Sequence, residues 1–98
     1  MQTSRQTDVE LGVPYLAWPV REDLNYEFGL DDGRLSRELR SDLLAWAKLL
    51  SEHFDGERGW SSDEAHARFR TEGLRLLRSV QQELGPEYRV TLNTFAMS

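Results

Sequence analysis

The chain has 98 residues and 39% apolar content, enough for one hydrophobic core and too little for two. It contains no cysteine, which removes disulfides, thiolate nucleophiles and sulfur-ligated zinc, and no apolar run of the length that spans a bilayer. Twelve basic residues stand against seventeen acidic ones, a net charge of −5 that repels phosphate backbones, so direct nucleic-acid binding is not expected.

The first 30 residues lack the basic start and apolar stretch of a secretory leader, so a cytoplasmic location is expected. The charge is segregated along the chain. Up to residue 35, Arg5, Arg21 and Arg34 stand against Asp8, Glu10, Glu22, Asp23, Glu27, Asp31 and Asp32, whereas residues 36–54 and 61–85 are each neutral. Such a field attracts basic surfaces.

Residues 1–8 are polar and aperiodic and read as a disordered N-terminal tail; residues 9–98 read as a single α+β domain. Val9, Leu11, Val13 and Tyr15 alternate as in an edge strand, with Pro14 keeping them out of a sheet centre; Leu16, Trp18 and Val20 form a second apolar cluster around Pro19. One of these stretches is expected to be strand and the other an irregular packed segment. Leu24, Tyr26, Phe28 and Leu30 alternate with Asn25, Glu27 and Gly29, which predicts a further strand, the rival being an extended loop that ends in Asp31, Asp32 and Gly33.

From Ser36 the period becomes helical, and Leu39, Leu43, Trp46, Leu50 and Phe54 fall on one face, so residues 36–54 are predicted helix with Ser36 as N-cap. A turn follows over residues 55–59, with Trp60 beyond it. Ser61 and Glu64 have capping-box spacing, Phe69, Gly73, Leu76, Leu77, Val80 and Leu84 line one face, and Gly85 with Pro86 ends this second helix. Tyr88, Val90 and Leu92 alternate as a closing strand, with Phe95 just past it. The expected architecture is α+β: an antiparallel two-helix hairpin packed on a small sheet of N-terminal and C-terminal strands.

Chemistry has few places to reside. His53 and His66 are the only histidines; a helical hairpin brings them near each other, with Asp55 and Glu57 close by, but their spacing matches no metal motif. Asp31 and Asp32 lack the oxygen spacing of a calcium loop and read as a turn. No serine sits in a glycine elbow and no glycine pattern cradles phosphate. Arg68, Arg75 and Arg78 could form a basic stripe, yet Glu64 and Glu72 sit at helical contact distance and compensate it. No catalytic residue, metal or cofactor is assigned.

The run Leu35 to Leu44 with Ala45 and Trp46, then His53, Phe54 and Asp55, Gly59 and Trp60, Glu72 to Leu74, and Glu83 to Pro86 resembles a group of small acidic bacterial proteins of unassigned function, over about residues 35–90. In general character the chain is similar to immunity proteins that neutralise toxins. That resemblance implies a protein-binding module. Its expected surface is the acidic segment of Glu22, Asp23, Glu27, Asp31 and Asp32, with Trp18 or Trp60 as apolar anchor and a basic protein as partner. The alternatives are a structural homodimer formed through an unpaired sheet edge or helix stripe, and a small metal-dependent enzyme centred on His53 and His66.

Overall fold

A computed structural model describes residues 6–12 and 17–93. In chain order its elements are β1 (Thr7–Leu11), β2 (Val20–Arg21), α1 (Arg37–His53), β3 (Phe54–Asp55), β4 (Gly59–Trp60), α2 (Asp63–Leu84) and β5 (Tyr88–Leu92). β1 is the centre of a mixed three-stranded sheet, antiparallel to β2 on one side and parallel to β5 on the other. The arrangement is α+β, two helices over a small sheet of N- and C-terminal strands. β1 starts at Thr7, inside the segment read as a loose end, and residues 1–5 of that segment lie outside the described residues. Val13, Tyr15, Leu16 and Phe95, read as strand or packed positions, also lie outside them.

Alternation sorts the sheet into two faces. Val9, Leu11, Val20 and Val90 are buried beneath the helices, while Asp8, Arg89 and Thr91 are exposed and Glu10 and Arg21 half-buried on the far side. Register then sets Asp8 opposite Arg89 and Glu10 opposite Arg21, and both pairs form ion pairs across the strands. Asn93 adds a hydrogen bond of 2.8 Å from Nδ2 to Glu10 Oε2.

The helices run antiparallel: Ser36 meets Glu83, Asp42 meets Arg75 and Trp46 meets Phe69, one number rising as the other falls. Ser36 caps α1 as expected, its Oγ accepting from Leu39 N–H. The Glu83 carboxylate accepts from both Ser36 N–H (2.6 Å) and Ser36 Oγ–H (2.8 Å), which places a negative charge at the positive end of α1. On α2, Arg75 pairs with Glu72 on its own helix and with Asp42 on α1.

Trp46 joins the layers. Its indole stacks on Phe69 at 4.5 Å between ring centroids, and its Nε1 donates to Phe69 O at 2.9 Å. A Cβ on Gly12 would lie 2.9 Å from Trp46 Cη2, so the end of β1 comes this close only because residue 12 is glycine, at φ 88°.

Two expectations are corrected. The cap of α2 is Ser62, whose Oγ accepts from Ala65 N–H, because Ser61 is committed elsewhere: its N–H donates to His53 O and its Oγ meets His53 Nδ1 at 2.9 Å. Residues 24–30 are not a strand but a run of turns, the loop alternative. Of the alternating set only Phe28 is fully buried, and the local backbone bonds to itself, through Glu22 with Asn25 and Leu30 N–H to Glu27 O.

The outer edge of β5 is occupied by a side chain. Gln81 of α2 donates from Nε2 to Tyr88 O (2.7 Å) and to Gly85 O (3.1 Å), and its Oε1 accepts from Val90 N–H (3.0 Å). One amide thereby satisfies two strand groups, Tyr88 O and Val90 N–H, that a neighbouring strand would use. Replacing Gln81 by Ala leaves these half-buried groups unpaired; we expect a loss of about 1–3 kcal/mol, read as a lower urea midpoint with unchanged slope.

Candidate functional site

The loop between β2 and α1 is ordered by a few side chains that reach its main chain. Trp18, only 5% exposed, donates from Nε1 to Phe28 O at 2.8 Å. Phe28 packs against Tyr88 of β5, with ring centroids 5.6 Å apart, and carries the Arg34 guanidinium 4.9 Å above its ring. Arg40 of α1 donates to Leu30 O at 2.9 Å. Gly29 has φ 83°, and a Cβ there would come within 2.8 Å of buried Leu35, so this bend requires glycine.

Asp32 acts inside the loop. Its carboxylate accepts from Gly29 N–H (2.9 Å), Arg34 N–H (3.1 Å) and Arg34 Nη1 (2.6 Å). Partial burial pushes its pKa up, but the two backbone donors and the Arg34 guanidinium outweigh that and hold it below the usual aspartate value. Asp32 is therefore a structural anion whose charge is matched by Arg34.

This pairing decides where the surplus charge lies. Arg21 is matched with Glu10, Arg34 with Asp32 and Arg89 with Asp8. Among the described residues no ion pair neutralises Glu22, Asp23, Glu27 or Asp31, and residues 22–33 contain no basic side chain. The segregated charge of the sequence thus resolves into four carboxylates on one pinned loop.

The two tryptophans expected as anchors lie in different places. Trp18 is a buried brace under the loop. Trp60 is half-buried in the β3–β4 hairpin, against Phe54 (5.4 Å), Phe69 (5.0 Å) and the ring of His66 (5.4 Å, nearly parallel). The hairpin lies beyond the far end of α1, whose 17 residues measure about 25 Å, so Trp60 and the acidic loop are not brought together. His53 and His66 do not converge on a common ligand point either: one ring faces Ser61 and the other Trp60. No cluster of three metal-binding side chains occurs among the described residues, and no helix there is long and apolar enough to cross a membrane.

Two side chains in the loop were not expected at its surface. Leu24 is 78% exposed and Tyr26 is 44% exposed, although their alternation with Phe28 assigns all three to one buried face. The signal for a different outcome is local: Asp23 and Asn25, both turn formers, flank Leu24.

Fold and loop together define a small α+β domain that displays an ordered acidic surface. A family model described as Serratia CdiI immunity protein-like matches residues 7–94. The chain belongs to that family. No curated protein and no solved structure matches it.

Because the folded pKa of Asp32 is depressed, its contribution to stability is fully present above the unfolded aspartate pKa and lost as pH falls through the folded one. Asp32→Asn should therefore lower stability at neutral pH by about 1–2 kcal/mol, and the gap to the parent chain should close below about pH 4. Urea melts at neutral and acid pH check both statements.

Proposed function

We propose that this chain is an immunity protein that binds a toxin and neutralises it, using the loop bearing Glu22, Asp23, Glu27 and Asp31 to engage a basic surface of that partner. The observation that carries this reading is the uncompensated carboxylate set on an ordered loop, in a chain of an immunity protein-like family. Exposed carboxylates of one sign steer a basic partner into encounter and fix its orientation. The loop is already shaped by Trp18, Asp32 and Arg40, so little ordering entropy opposes binding. Neutralisation then follows from occupancy: a loop seated over a basic cleft excludes the anionic substrate that such a cleft would hold.

Self-association through the β5 edge has less support, since Gln81 already occupies Tyr88 O and Val90 N–H, two groups that a second copy's strand would use. A catalytic reading centred on His53 and His66 has no convergent geometry behind it.

The test is capture from native lysate on the immobilised chain at low and high salt, followed by expression of the retained basic protein alone and together with this chain. We expect growth arrest in the first case and its relief in the second. Charge reversal at Asp23, Glu27 and Asp31 should weaken the complex by more than about tenfold at low salt and by much less at high salt. Asp32 is unsuitable for that experiment, because its carboxylate shapes the loop. A retained protein that is harmless, or binding indifferent to both salt and charge reversal, would refute the reading.

A further inference from the structure

Glu22 and Asn25 exchange two backbone hydrogen bonds, Glu22 N–H to Asn25 O at 3.1 Å and Asn25 N–H to Glu22 O at 2.8 Å. They close a two-residue hairpin turn with Asp23 and Leu24 at its centre. Asp23 takes φ 52°, the one non-glycine residue with positive φ among the described residues, and the turn thereby carries local strain. Positive φ at the first central position alone puts the steric demand of such a turn on Asp23 and leaves the second central position open to other residue types. Here it holds Leu24, the most exposed large apolar side chain among the described residues.

The surroundings of Leu24 differ from those of the other exposed leucines. Leu44 (45% exposed) sits one helical turn from Arg40 and Lys48, and Leu74 (51% exposed) one turn from Arg70 and Arg78. Leu24 instead stands among Glu22, Asp23 and Glu27, beside Tyr26, whose ring lies 5.7 Å from the Arg21 guanidinium carbon. An apolar tip flanked along the chain by carboxylates complements an apolar pocket with a basic rim. The same carboxylates oppose an anionic lipid surface.

We propose that Leu24 is the apolar anchor of the complex, entering a basic-rimmed pocket on the partner while Tyr26 packs along its edge. This rests on the immunity reading and deepens it, assigning the desolvated centre of the interface to the turn and the carboxylates to its rim.

The experiment introduces p-benzoylphenylalanine in place of Leu24, Leu44 or Leu74 in the full chain, photolyses cells that produce it, and identifies any crosslinked protein. That protein, purified, is the probe for binding by the unmodified chain and by Leu24→Ala, Leu24→Met and Leu44→Ala. The proposal expects a crosslink from position 24 alone, at least about tenfold weaker binding for Leu24→Ala, and near-parent binding for Leu24→Met and Leu44→Ala. Leu24 is 78% exposed, so the urea midpoints of both Leu24 variants should match the parent. Crosslinks from positions 44 or 74 and not from 24, or a Leu24→Ala effect below about twofold, overturn the anchor and leave the immunity reading standing. Absence of crosslinks from every position, together with an empty capture experiment, overturns both.

Discussion

The indole of Trp46 is held from three directions, and the packing of the domain depends on it. Phe69 stacks on one face and accepts its N–H, α1 carries it, and the end of β1 approaches its rim at Gly12. A tryptophan buried with its one polar atom satisfied combines large apolar burial with a directional bond. The hydrogen bond fixes the indole's position against α2, and the close approach at Gly12 fixes the end of the central strand against the same ring. Sheet and helical hairpin therefore share one reference point, and β5 is brought alongside β1 by the helix that precedes it.

Charge pairing on the sheet has a bearing on the loop. Cross-strand partners match Asp8 and Glu10 to Arg89 and Arg21, and Asp32 takes up Arg34. These contacts lie at or near the surface and contribute little stability individually. Their larger effect is on distribution. Arg21 and Arg34, which flank residues 22–33, are matched by Glu10 and Asp32, and Arg40 reaches the loop at the Leu30 carbonyl, so among the described residues none of the other four carboxylates is ion-paired.

Both helices are legible in the sequence because their apolar period runs for four turns or more and their ends carry Ser36 and Gly85, signals that act within a few residues. The cap of α2 is misplaced by one residue because Ser61 and Ser62 look alike in sequence, and only the tertiary contact with His53 separates them. The segment from Leu24 to Leu30 misleads for a related reason. Alternation reports what could form a half-buried face, not whether a sheet partner exists, and here turns at Asp23 and Gly29 intervene. The parallel pairing of β1 with β5 joins the two ends of the chain, and the Trp18 bond to Phe28 O and the Gln81 plug span turns, where apolar periodicity carries no signal. Of the candidate surface, its acidity is legible in composition. The division of its carboxylates into one that is bound within the loop and four without an ion pair is not.

Much of what shapes the loop ends on main-chain atoms: the Trp18 indole on a carbonyl, Asp32 on two amides, Asn25 Oδ1 on the Glu27 amide and Arg40 on a carbonyl. Carbonyls and amides are common to nearly every residue type, so this scaffold does not read the side chains at positions 24, 27 and 31. Substitutions there alter what the loop recognises without altering its path. A lineage built on this frame is free to exchange one adversary for another by point mutation, without refolding the domain at each step. The same independence makes the segment a cassette into which new recognition sequences can be grafted.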